Sequence, residues 1–199
     1  VAYRELVEQR TEYVALVERG DALQEDAIGT ISQGQYLVDI MNEAGYDFAV
    51  LGNHEFDYGM EQLEFLLSIS DAQYLGCNIV YSEEEENALS AVKPYEIVSY
   101  GDVSVGFVGV SIPESIVKST PSYFMDDSGE YVYSFCGGSG QELYDQVQQT
   151  VEQCRDQGAD YVVVLAHLGT DEASEPFRST DLIANTSGID VVLDGHSHS

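Results

Sequence analysis

The 199-residue chain reads as an α/β protein with a mixed sheet. Three observations carry that reading. Short apolar runs rich in Val, Leu and Tyr alternate with stretches of helical periodicity. Near the middle of the chain, two β-rich arms face each other across Gly101-Asp102, as in a hairpin. Four apolar runs also end in polar loops, as strands do at the carboxyl edge of an open sheet, where ligands bind.

The elements follow in order. Residues 3–12 read as a helix of mixed charge. Tyr13-Val-Ala-Leu-Val17 reads as a strand running into Gly20-Asp21. Residues 33–44 form a helical pattern with Tyr36, Leu37, Ile40, Met41 and Ala44 on one face, and Gly45 stops it. Phe48-Ala-Val-Leu51 is a buried strand, followed by a polar loop and a helix from Met60 with Leu63, Leu66 and Leu67 on one side. Residues 74–80 are strand-like. The Glu83–Glu86 run is read as a solvated loop tip in preference to a cation-attracting patch. The hairpin arms are residues 95–100 and 103–110. Residues 112–128 show no period, hold two prolines and read as an extended excursion; residues 130–135 offer another strand. Gly137-Gly-Ser-Gly140 lacks the Lys and the spacing of a P-loop. A long helix over residues 141–157 turns Leu143, Val147 and Val151 inward. Strands at residues 161–165 and 191–193 bracket a short helix at 179–185. With no repeat and no linker, residues 1–199 form one domain.

Apolar residues make up 44% of the chain, enough for a real core. The net charge of −29, from 36 acidic and 7 basic residues, repels nucleic-acid polymers and anionic membranes. It repels a phosphate substrate too, unless bound cations reverse the sign locally. No run approaches the roughly 20 apolar residues of a membrane span. Cys77, Cys136 and Cys154 are sparse and odd in number, which gives neither a disulfide framework nor a Cys-type zinc site, although one bridge stays open.

The chain has only four histidines, His54, His167, His196 and His198, and each lies just past an apolar strand. One site gathered at a sheet edge accounts for that placement. Asp21, Asn53, His167, His196 and His198 offer oxygen and imidazole donors without thiolate, a set suited to Zn, Mn, Fe or Mg-like ions. A carboxylate such as Asp21 can bridge two cations, and paired cations clamp an in-line displacement at phosphorus. His54 is left to face substrate, with Asp57 three residues on to fix its tautomer. His54 is accordingly expected to matter more to activity than its neighbour Glu55.

Gly20-Asp-Ala-Leu-Gln24, Gly52-Asn-His-Glu-Phe-Asp-Tyr-Gly59, Ala166-His-Leu-Gly169 and Asp194-Gly-His-Ser-His198 resemble, in order, the later motifs of the calcineurin-like metallophosphoesterases, above all the 5′-nucleotidase branch. The resemblance spans nearly the whole chain. It implies a four-layer αββα sandwich with mixed sheets. It implies a dinuclear centre that hydrolyses phosphate monoesters, most of all nucleoside 5′-phosphates, by metal-activated water. By that resemblance Asp21 is the bridging ligand, Asn53, His167 and His196 complete one metal's shell, His198 faces the other metal, and His54 with Asp57 is the catalytic pair.

The family's opening Asp-x-His strand has no counterpart here, since no histidine precedes His54. The specificity domain of its nucleotidases is not in these 199 residues either. The expectation is therefore a domain incomplete at both ends that binds one divalent ion tightly rather than two and self-associates through an unpaired sheet edge. The alternatives are a non-catalytic metal-binding remnant and a cyclic-nucleotide phosphodiesterase. Family resemblance implies an exported or cell-surface location. Arg19 stands where the family prefers a small residue, and either crowds the site or points to solvent.

Overall fold

A computed structural model of the protein describes residues 2–24, 26–81 and 87–198. The Glu83–Glu86 run lies outside them. In chain order the elements are α1 (Ala2–Glu8), α2 (Asp26–Ser32), α3 (Gln35–Ala44), β1 (Phe48–Val50), α4 (Met60–Ile69), β2 (Gln73–Leu75), β3 (Ile79–Tyr81), β4 (Tyr95–Tyr100), β5 (Val103–Ser111), α5 (Ser115–Lys118), β6 (Tyr133–Phe135), α6 (Gln141–Asp156), β7 (Tyr161–His167), α7 (Ser179–Asn185) and β8 (Val191–Asp194).

One sheet has the order β4-β5-β7-β8, antiparallel at the β4–β5 hairpin and parallel beyond it. A second is built on the parallel pair β1–β2, and β3 and β6 form a small antiparallel ladder. Phe48, Val50, Leu75, Phe107 and Leu165 fill the space between the β1–β2 pair and the four-stranded sheet, where the Phe48 and Phe107 rings stack at 4.6 Å. On the outer face of the four-stranded sheet, Val108, Val110, Val162 and Val164 meet Leu143, Val147 and Val151 of α6 and Leu182 of α7. On the other side, Ala49 and Tyr74 meet Val38 of α3 and Leu63 and Leu66 of α4. Helix, sheet, sheet and helix therefore stack in four layers, as the motifs implied.

Local departures have local causes. The strand expected at residues 13–17 makes a single bridge, Val17 to Phe48; its backbone is held by Asp47, whose N–H donates to the Leu16 carbonyl and whose carboxylate accepts the Leu16 N–H. The run 74–80 divides between two sheets, because Asn78 turns in to bond the Ser111 backbone twice, at 2.8 and 3.0 Å. Helix α3 buries Val38 and Met41, while Tyr36 and Ile40 stay exposed. Its end is as expected: Gly45, at φ 75°, donates to the Met41 carbonyl. The excursion carries α5 and a 3₁₀ turn, Pro121–Phe124, which buries Phe124 against Phe56. All three cysteines are free.

Candidate metal centre

Four loops meet at the carboxyl ends of β1, β7 and β8 and at the end of the extended segment before Asp21. β7 ends on His167, which is 1% exposed. Its Nδ1 lies 2.7 Å from the Arg19 carbonyl oxygen. A carbonyl only accepts, so Nδ1 carries a proton and Nε2 faces inward. There Nε2 lies 3.0 Å from Asp21 Oδ2 and 3.1 Å from His196 Nδ1. These three ligand atoms lie within 4.8 Å of one another, the one such group among the described residues. Three lone-pair atoms brought this close need a proton or a cation between them.

The backbone is bent to make this approach. Asp21 and His196 adopt left-handed φ of 67° and 81°, uncommon for such residues. A Cβ on Gly52 would stand 2.6 Å from the Asp21 nitrogen and 2.8 Å from His167 Cε1, so only glycine fits between these loops. The next residue, Asn53, is 4% exposed, and its Oδ1 is buried without a hydrogen-bond partner. An orphaned amide oxygen between two residues that touch Asp21, Gly52 by close packing and His54 by its N–H, fits a divalent cation.

Charge follows the geometry. Burial alone would lower the His167 pKa, but its bond to Asp21 and the charges of Asp21 and Glu55 raise it. Asp21 is itself lowered: burial opposes its charge, yet bonds to His167 and the His54 N–H outweigh that. Burial, with Lys118 and His167 nearby, lowers His196.

His54 occupies the 3₁₀ turn after β1, with Nδ1 2.7 Å from Asp57 Oδ2 and its N–H donating to Asp21 Oδ1 at 2.9 Å. Desolvation would lower its pKa, but Asp57, Asp21 and Glu55 together raise it. His198 is set apart. It lies outside the converging triad and lines a cavity of about 400 Å³ with Glu18, Arg19 and Ser197, on which Asp21, His167 and His196 also open. Arg19 neither fills the centre nor stands free: its guanidinium donates to the Asp194 carbonyl.

Glu55, which the sequence reading ranked below His54 for activity, has a structural place that the reading did not give it. It is 1% exposed and accepts the N–H groups of Asp21, Leu23 and Gly52 at 2.7, 3.1 and 2.6 Å. It thus ties the Asp21 loop to the β1 loop. Burial and the Asp21 charge push its pKa up, against the N–H groups of Asp21 and Leu23 and the charge of His167. The spacing Gly52-Asn-His-Glu55, a glutamate reaching back three residues as in a capping box, was the signal for it.

The sequence matches the family described as bacterial capsule synthesis protein PGA_cap over residues 14–199. The chain belongs to this family. It is also 30% identical over 192 residues to the 5′-nucleotidase of Bos taurus, covering 94% of this chain and 29% of the relative. It superposes on the 5′-nucleotidase precursor of Thermus thermophilus with TM-score 0.80 and 25% identity, over 100% of this chain and 35% of that one. The calcineurin-like phosphoesterase YfkN of Bacillus subtilis superposes with TM-score 0.78 and 22% identity, over 100% of this chain and 62% of that one. The fold is that of the calcineurin-like metallophosphoesterases. The chain spans less than a third of the length of the curated relatives it matches, 28% and 29% for two of them. No helix of the described residues is long and apolar enough to cross a membrane.

Proposed function

We propose that the protein hydrolyses phosphate monoesters, nucleoside 5′-phosphates foremost, at a divalent-cation centre. The observation that carries the reading is the convergence of Asp21, His167 and His196, and the buried, unpartnered Oδ1 of Asn53 supports it. Those four residues would hold the cation, Zn or Mn by donor type, with His198 outside its shell. When bound, a divalent cation supplies Lewis-acid polarisation of a phosphoryl oxygen and an acidified water. The chain's own groups do the rest. The Asp21 and His167 loops, locked by Glu55 and the Arg19 carbonyl, fix the donor atoms before substrate arrives. Asp57 holds His54 with Nδ1 protonated and, together with Asp21 and Glu55, favours the charged ring. That imidazolium stabilises charge on the phosphoryl group or delivers its Nε2 proton to the leaving oxygen. The 5′-nucleotidase relatives support the substrate class; an exported or cell-surface location belongs to the same proposal.

The test is calorimetric titration of chelator-stripped protein with Zn²⁺ or Mn²⁺, followed by phosphate release from AMP and p-nitrophenyl phosphate. One tight site with metal-dependent release is expected. Absence of a tight site, or release indifferent to chelator, sinks the reading.

A further inference from the structure

Residues 114–119 cross the rim of the metal centre. Lys118 Nζ lies 2.7 Å from His196 Nε2 and 3.2 Å from Glu114 Oε2. Its neighbour Ser119 donates from Oγ to Asp57 Oδ1 at 3.4 Å, and the other oxygen of Asp57 holds His54. One short segment therefore connects the His54 pair to the far ring nitrogen of His196. In a chain with 7 basic residues against 36 acidic ones, a lysine at this place stands out.

The Lys118–His196 contact is incompatible with a filled centre. A neutral imidazole that ligates through Nδ1 carries its proton on Nε2, and an ammonium has only donors to offer. Donor would then face donor at 2.7 Å. An acceptor between them satisfies both groups, and a phosphate oxygen is one that also carries the charge an ammonium favours.

We infer that Lys118 is a substrate-phosphate-binding residue, whose ammonium leaves His196 when the cation binds and pairs with phosphoryl oxygens presented between His54 and the centre. This rests on the phosphoester reading above. A lysine binds phosphate as a point charge, so it serves every phosphate ester alike and does not select the base.

Two binding measurements on the 199-residue protein test it, with opposite signs expected. With Zn²⁺ alone, Lys118→Met should bind several-fold more tightly, because a positive charge beside a ligand is gone. With Zn²⁺ loaded, Lys118→Met should bind inorganic phosphate about 10- to 100-fold more weakly, the scale of one charge-assisted hydrogen bond. Lys118→Arg should restore phosphate binding. A Lys118→Met variant that loses affinity for both ligands makes Lys118 a structural prop and overturns the inference. Unchanged phosphate affinity overturns it too, while leaving the phosphoester reading intact. A Zn²⁺-loaded wild-type protein that ignores phosphate overturns both.

Discussion

His167 is oriented by the main chain of Arg19, not by its side chain: Nδ1 sits 2.7 Å from the Arg19 carbonyl oxygen. Arg19→Ala keeps that acceptor and should therefore leave Zn²⁺ affinity within about threefold of wild type, as for other changes to exposed side chains. His167→Ala removes the central donor and should abolish tight binding. Calorimetry separates the cases, and a hundredfold loss in Arg19→Ala would show that the guanidinium, through Asp194, shapes the centre after all.

His54 bonds Asp57 through its ring and offers its N–H to Asp21. His54→Ala keeps the backbone donor. It should lower kcat by roughly 10²–10⁴ with metal content unchanged. Metal analysis of the purified variant is the check, since equal loss of metal would make His54 a ligand. Asp57→Asn should cost less, because the ring remains while its charged partner is lost.

Glu55→Ala leaves three backbone donors without an acceptor at a buried position. At about 1–3 kcal/mol for each buried unsatisfied group, the variant should lose at least about 3 kcal/mol of stability and bind metal poorly. Urea denaturation reads the first effect. A variant as stable as wild type would mean that water replaces the carboxylate.

Burial and the charge of Glu55 push the Glu18 carboxyl up to about 7, against the N–H of Gly20. Folded protein then holds a proton that unfolded protein has released over the window from ordinary carboxylate values to about 7. Stability must fall as pH rises through that window. The loss is on the order of 1–3 kcal/mol, since Glu18 is only partly buried. In chelator, urea midpoints measured on the acid side of that window and above it should differ in wild type and differ less in Glu18→Gln. Equal pH slopes in the two proteins would exclude Glu18 as the source.

The loops of the centre were legible because their chemistry is local: Asp21, Asn53, His54, His167 and His196 each follow an apolar run, and strand ends are easy to read. What failed depended on neighbours far along the chain. On α3, Met41 of the expected face is buried and Leu37 packs on the core, but docking against α4, with Asn42 donating to the Ile69 carbonyl, buries Val38 as well and leaves Tyr36 and Ile40 exposed. The left-handed turns at His196 and His198 are announced by nothing in Gly-His-Ser-His. The contact of Lys118 with His196 joins an aperiodic excursion to the last loop, so no window along the chain contains both partners.

The donors of the centre come from opposite ends of the chain, with Asp21 near its start and His167 and His196 in its last part. A partly folded form would therefore hold the ion more weakly than the native state, which gathers the donors. If the centre binds a cation as proposed, free cation would act as a lever on the folding equilibrium, worth up to about 2.7 kcal/mol at a hundredfold excess over Kd. Where the ion is scarce, the same chain spends more time open to proteases. Supply of the ion would set how much of this protein accumulates as well as how much of it works.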